Sequence, residues 1–322
     1  MPQTIKPFLL SVLLGISFSD YFIPNFKNID HKDQILVTAK NTQDELKSPS
    51  PNSSPSFSPE SSAEKLEYQR LMQVLDDRQL SKLSFSEVIQ TISAQFIGTS
   101  YREGLLDQGE SEKLFVSLTE FDCVLFVETV LAFSRNLLTA NPSYENFVQN
   151  IQEVRYEDGK LDGYCSRLHY FSEWIRDNQK RGIVSDRTEE LGGIPLNKTL
   201  NFMSSHWQKY PRLKNSKANY QCILAMEKRM ELEMRSQPLR YIPSRKIHSI
   251  YPLLKSGDII AVVTDLKGLD TTHTGLVYLT AKDTSFIHAS PSGKVKIAPD
   301  LQRYVERVDH AIGIMVVRPI NP

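Results

Sequence analysis

A chain of 322 residues that is 40% hydrophobic and 24% charged has the make-up of an ordinary globular protein with ample material for a core. Lys plus Arg and Asp plus Glu both number 38, so the formal net charge is zero and nothing in the balance points to nucleic acid or a polybasic membrane contact. Three widely spaced cysteines make neither a disulfide framework nor a zinc pattern. Cys165 and Cys222 read most simply as buried apolar thiols, with a disulfide between them as the alternative in an exported protein.

The first 63 residues read as lying outside the fold. Lys6 precedes an apolar run from Pro7 to Phe18 that is too short to span a bilayer and suits the core of a secretory signal. Residues 1–20 are therefore expected to be a signal segment that sends the protein to the bacterial envelope, with no stable membrane span. The rival reading is a disordered tail with an apolar patch, which leaves the protein in the cytoplasm. Residues 21–63 follow as a linker that ends in a Ser/Pro-rich stretch unable to bury a core. One large domain, 64–322, remains.

Leu66, Leu71, Met72 and Leu75 among charges predict a helix over 63–77. Ser84 and Glu87 match a capping box opening a second helix through Phe96, with Gly98 as its stop. After a turn carrying Tyr101 and a polar stretch, residues 119–135 predict a helix apolar on nearly every side, which marks a buried central element. Thr119 and Asp122 are its expected capping pair, and Cys123 falls in its first turn. Ser143 to Glu153 predicts a further helix, Val154 to Tyr156 a short strand, and Phe171 to about Asn178 another helix. Residues 181–216 read mostly as loop with a short helix near Phe202, and 218–235 as helix. The last third changes character. Strands are expected over 258–264, 273–279, 285–289, 294–297 and 311–317, separated by turn residues and short enough in connection to form an antiparallel meander. Helices first and a sheet last make an α+β domain.

A thiol in the first turn of a helix meets unpaired N–H groups and the positive end of the dipole, both of which favour the thiolate. A cysteine nucleophile also needs a base, and the base needs a third group to fix its tautomer. His273 and His288 lie on neighbouring expected strands, so Cys123, His273 and His288 fit those three roles in that order. Spacing alone makes this a weak set. Arg167, His169 and Tyr170 form a basic and aromatic cluster able to receive the carboxylates of a ligand, or equally a packing cluster around a surface arginine. No Gly-rich phosphate loop and no His-Glu-x-x-His is present, so no nucleotide, cofactor or zinc-peptidase chemistry is expected.

Several motifs carry a resemblance to a known family. Phe121-Asp-Cys-Val-Leu-Phe-Val resembles the Asp-Cys helix of the NlpC-type, papain-like cell-wall hydrolases, and Ser256-Gly-Asp-Ile resembles their strand entry. His273-Thr-Gly-Leu-Val-Tyr and Phe286-Ile-His-Ala-Ser resemble their two histidine strands, and Gly98-Thr-Ser-Tyr101 their Gly-Thr-Pro-Tyr segment. Tyr164-Cys-Ser-Arg-Leu-His-Tyr-Phe, Asn201-Phe-Met-Ser and Tyr241-Ile-Pro resemble the N-acetylmuramoyl-L-alanine amidase-like branch. The resemblance implies a papain-like fold with the Cys helix packed on the His-bearing sheet. It implies Cys123 as nucleophile, His273 as base, His288 as orienting residue and Tyr101 beside the oxyanion. Asp122 is expected to cap and orient on the substrate side, together with Arg167 and Tyr170. The implied reaction is cysteine-dependent hydrolysis of the amide between N-acetylmuramic acid and L-alanine in peptidoglycan. The alternatives are cleavage between D-glutamate and the diamino acid by the same site, a non-catalytic envelope-binding module, and a metal site at Cys123, His273 and His288 that lacks a fourth ligand.

Overall fold

The computed structural model describes residues 60–76 and 80–322. The expected signal segment and the linker up to residue 59 lie outside the described residues, and the last linker residues open a helix instead. In chain order the elements are α1 (Glu60–Asp76), α2 (Phe85–Gln95), β1 (Ser100–Tyr101), β2 (Glu120–Phe121), α3 (Cys123–Leu137), α4 (Tyr144–Arg155), α5 (Phe171–Lys180), β3 (Val184–Asp186) and β4 (Ile194–Pro195). They continue with α6 (Phe202–Ser205), α7 (Pro211–Lys214), α8 (Lys217–Ser236), β5 (Arg240–Pro243), β6 (Ile259–Thr264), β7 (Thr271–Leu279), β8 (Thr284–Ser290), β9 (Lys294–Ala298), α9 (Leu301–Val305) and β10 (Ala311–Pro319). The α+β expectation therefore holds, with most helices ahead of one curled, largely antiparallel sheet. No helix among the described residues is long and apolar enough to cross a membrane.

The predicted capping box opens α2, with the Ser84 hydroxyl accepting from Glu87 N–H and the Glu87 carboxylate accepting from Ser84 N–H. The central helix begins later than expected. Residues Glu120–Phe121 pair in parallel with Ser100–Tyr101, and the Ser117 hydroxyl accepts from Glu120 N–H at 3.0 Å, so the chain stays extended up to Asp122. Asp122 then caps α3 by accepting from Leu125 N–H at 2.8 Å, and Thr119 takes no part. Cys123 is thus the first residue of the helix. Nearly every α3 residue from Leu125 to Ser134 is buried, because α2, α4 and the sheet cover it from different sides. The expected strand at 154–156 is absent: Val154 and Arg155 complete α4, and Tyr156 makes only an isolated bridge with Arg167.

Strands β6 to β9 form the predicted meander, but the fifth strand does not extend it. The outer edge of β9 is taken by β1, through Ser100 opposite Lys294, so β10 crosses back and pairs antiparallel with β6. The short helix α9 carries the chain across. Beyond β10 the sheet continues through β5 and β4, and β3 also pairs with β10; sequence periodicity over 181–216 did not reveal β3 or β4. Ile259, Ala261, Leu276 and Ile287 pack under the α3 layer, and Ile260, Val262, Val277 and Phe286 face the opposite core with Leu301 and Val305 of α9. Strand β6 is buried on both faces, which is why its sequence is a continuous apolar run.

Cys165 and Cys222 are joined as a disulfide, with Cα atoms 6.1 Å apart, and Cys165 is exposed. The expectation of two buried apolar thiols is therefore overturned. The bridge ties the turn Tyr164–Ser166 to α8.

Gly275 marks the tightest point between β7 and β8. A Cβ there would lie 2.6 Å from both the Ile287 carbonyl oxygen and the Phe286 ring. Gly275→Ala is accordingly expected to lower stability by about 3 kcal/mol through overpacking. A chemical denaturation midpoint equal to that of the wild type would contradict it.

Candidate active site

The β7–β8 ladder runs from Leu279 opposite Thr284 to Leu276 opposite Ile287 and stops there. Past that point the strands still carry His273 and His288 on one side, because antiparallel register and alternation give both residues the same facing. The His273 Nε2 and His288 Nδ1 atoms are 2.7 Å apart, a hydrogen bond between two buried rings. Where the ladder has opened, the backbone N–H of Thr274, the residue after His273, is directed at the Cys123 sulfur. The first N–H groups of α3, those of Cys123 and Val124, also bond it. Tyr101 reaches the same place from β1, whose register sets it opposite Phe121 just before the capped helix start. Tyr101 and the Thr274 backbone thus meet Cys123 at the start of α3, and the His273–His288 pair begins one residue earlier on β7.

Burial pushes the Cys123 thiol well up, with the Asp122 carboxylate adding to the rise and the N–H groups of Thr274, Cys123 and Val124 opposing it. Burial lowers His273 to about 3, and burial together with the neighbouring His273 lowers His288 to about 2. At rest the thiol and both imidazoles are thus neutral. His273 Nδ1 and His288 Nε2 are buried without hydrogen-bond partners among the described residues. If His273 Nε2–H donates to His288 Nδ1, the bare lone pair sits on His273 Nδ1 and is available as a base. Burial raises the Tyr101 phenol, and the Cys123 and Asp122 charges raise it further, so it stays a donor; its hydroxyl has no partner among the described residues.

One residue of this cluster escaped the sequence reading. Tyr304 of α9 packs its ring, tilted, with centroid 4.6 Å from that of His288, 5.9 Å from His273 and 4.9 Å from Phe286, and its Oη lies 3.5 Å from His288 Nδ1. Phe286 stacks on His288 from another side at 5.0 Å. Two aromatic rings thus hold the imidazole pair where a carboxylate or amide would serve in other triads.

A cleft with an empty volume of about 670 Å³ opens beside α3 and is lined by Asp122 and Val124, the residues flanking Cys123. Asp122 keeps its expected place as cap, and burial raises it to about 7. Arg167 also lines the cleft, but it is not a free receptor for a ligand carboxylate. It donates to the Leu106 carbonyl at 2.7 Å and to Asp107 at 2.5 Å, and its guanidinium lies 5.0 Å over the Tyr164 ring. Tyr170 does not line the cleft. Its hydroxyl donates to Glu227 at 2.8 Å and accepts from Met203 N–H at 3.1 Å, so both of its functions serve packing against α6 and α8. His169 bonds the Tyr164 carbonyl at 2.9 Å and is kept neutral by burial and the Arg167 charge, near 3.

The segment from Gly104 to Leu118, which has little regular structure, is held by three buried arginines. Arg155 donates to the Phe115 carbonyl, Arg167 to that of Leu106, and Arg212 to those of Gln108 and Ser111. Glu112 accepts from Arg212 at 3.0 Å and from Tyr156 at 3.0 Å. This segment closes one side of the cleft through Gly104, Leu106 and Asp107. Sequence reading saw only a polar stretch there, because the partners are far away in the chain.

Comparison with known proteins agrees with this arrangement of elements. An N-acetylmuramoyl-L-alanine amidase from Bacteroides uniformis is 32% identical, with a TM-score of 0.66, and the match covers 73% of this chain and 99% of that one. A protein from Bacteroides fragilis described as a putative xylanase is 33% identical at a TM-score of 0.66, covering 71% and 99%. A Legionella pneumophila protein from a family of unknown function shares the fold at 22% identity and a TM-score of 0.62, covering 81% and 95%. No curated protein matches the chain. Residues 91–314 match the family described as AmiA-like, N-acetylmuramoyl-L-alanine amidase-like, and on that match and the Bacteroides likeness the chain belongs to this family.

Proposed function

We propose that the protein is a cysteine amidase that hydrolyses the amide between the lactyl group of N-acetylmuramic acid and L-alanine in peptidoglycan or its fragments. The observation that carries the reading is the Cys123 sulfur at the start of α3, bonded by the N–H of Thr274, the residue after His273, in a member of an amidase-like family. His273 takes the thiol proton as Cys123 attacks the lactyl carbonyl. The developing oxyanion is met by the Tyr101 hydroxyl and by N–H groups at the start of α3. His273 returns the proton to the leaving L-alanine amine, and water then hydrolyses the thioester with the same imidazole as base. His288 accepts from His273 Nε2–H throughout and holds the productive tautomer.

The likeness to a protein described as a putative xylanase does not lead to glycoside hydrolysis. That chemistry needs two uncommitted carboxylates. The carboxylates lining the cleft are Asp107, Asp122 and Glu128, which accept from Arg167, Leu125 N–H and Arg155. The exposed position of the Cys165–Cys222 disulfide supports an exported protein working in an oxidising compartment.

Digestion of a defined muropeptide followed by mass spectrometry tests the reading. Release of a free peptide beginning with L-alanine, with the sugar intact, is the expected outcome. An L-Ala-D-Glu stub left on the sugar would assign the site to the stem endopeptidase reaction instead.

The pH profile offers a separate check. Because burial lowers His273 to about 3, the base stays neutral as the medium is acidified. His273 itself should add no acid limb to kcat/KM between pH 7 and pH 5, a range in which Asp122, raised by burial to about 7, takes up its proton, whereas an unperturbed imidazole near 6.5 would alone lose about twenty-fivefold. In Asp122→Asn, which removes that titration, an acid limb centred near 6.5 would contradict the neutral, buried pair.

A further inference from the structure

Among the buried donors lining the cleft beside α3, Trp174 Nε1 acts on the Glu128 carboxylate, which leaves Arg155 Nη2 and the Tyr210 hydroxyl without an acceptor among the described residues. Arg155 gives Nε to Glu128 at 2.7 Å and Nη1 to the Phe115 carbonyl, but its Nη2 has no acceptor. Tyr210, 3% exposed, buries a phenol oxygen that is likewise unmatched. Both residues line the cleft that begins at Asp122 and Val124. Unmatched buried donors are costly and rare in folded proteins, and two in one cavity wall call for a reason. The carboxylates in that wall are already accepting, so what the cleft lacks is an acceptor and not a cation. Phe171 and Trp174, stacked at 5.0 Å, give it an apolar surface beside the donors.

We propose that this cleft is the subsite for the peptide stem, and that Arg155 Nη2 and the Tyr210 hydroxyl bind the stem carboxylate nearest the scissile bond, the α-carboxylate of D-glutamate. The inference rests on the muramoyl-alanine reading of the site. In a muropeptide the N-acetylated sugars are neutral and the carboxylates belong to the peptide, so an anionic acceptor beside Cys123 means the stem. A guanidinium N–H bonds a carboxylate more strongly than an amide oxygen. Amidation also replaces one acceptor oxygen with an NH₂ that faces the protein's own donors, so the subsite should discriminate between the acid and its amide.

Calorimetric titration of the product peptide L-Ala-D-Glu-diamino acid, with the D-glutamate carboxylate free or amidated, tests this without relying on turnover. The free form is expected to bind the wild-type protein at least tenfold more tightly than the amide. Tyr210→Phe, which removes an unpartnered hydroxyl and keeps the ring, is expected to leave the melting temperature unchanged or higher and to shrink that preference severalfold. Equal affinity for the two peptides, binding of neither at millimolar concentration, or a preference untouched in Tyr210→Phe would overturn the subsite. Cleavage of the intact muropeptide is scored separately. Cutting at the lactyl–alanine bond without a carboxylate preference leaves the proposed function standing and the subsite wrong. A carboxylate preference without cutting leaves the subsite standing and the proposed function wrong.

Discussion

Cys123→Ala is expected to lower kcat by about ten-thousandfold or more while leaving the melting temperature within a few degrees of the wild type. The size of the loss follows from removing the only atom able to form the acyl-enzyme, since what survives without a nucleophile is catalysis by binding and oxyanion contacts alone. His273→Ala should cost about as much, roughly three to four decades, because it removes the base proposed for a thiol that burial holds neutral. His288→Ala should cost less, about one to two decades, since Phe286 and Tyr304 still pack at its place and His273 keeps its Nδ1. Steady-state kinetics on a muropeptide, read beside thermal melts, separates these cases. A His288 variant as inactive as the Cys123 variant would mean that His288, and not His273, is the base.

The second large effect is on stability. Glu128 and Arg155 are each 1% exposed, and their Oε2 and Nε atoms are 2.7 Å apart. Glu128 sits on α3 after Cys123, and Arg155 ends α4, so the pair locks α3 to its neighbour and, through the Phe115 carbonyl, to the cleft wall. Burial pushes the Glu128 carboxyl up and Arg155 pulls it back. Glu128→Ala leaves a guanidinium in the core without its anion, a change of about 3–5 kcal/mol in the direction of unfolding. For a domain of this size that corresponds to roughly 10 °C in the melting temperature. The double variant Glu128→Leu/Arg155→Met, which removes both charges, should regain much of that loss. If Glu128→Ala melts with the wild type, the buried pair is not holding the helix.

The elements that carry the proposed chemistry were readable because their patterns are local. Cys123 stood at the head of a run too apolar for a surface helix, and the two histidines lay on β-branched strands between turn residues. The helix start was misplaced because the pairing that keeps Glu120–Phe121 extended comes from Ser100–Tyr101, which no local window contains. Tyr304 was missed for a related reason. It belongs to a five-residue helix, too short to show a period, and its partners His273, Phe286 and His288 precede it on other strands. Arg167 and Tyr170 were placed on the substrate side by residue type. Whether an arginine is available to a ligand depends on carboxylates and carbonyls elsewhere, here Asp107 and Leu106. The same limit hid Arg155 and Tyr210. A lone donor is visible only once every partner has been located.

The most direct test of the central claim is the mass of the protein trapped during turnover. Wild-type protein mixed with excess muropeptide and quenched in acid within the first turnovers should gain the mass of the muramoyl acyl group without its peptide. Digestion should place that adduct on the fragment containing Cys123. An adduct that retains L-Ala-D-Glu would move the scissile bond into the stem. Continued release of L-alanine-initiated peptide with no adduct, and undiminished in Cys123→Ala, would contradict a cysteine nucleophile altogether.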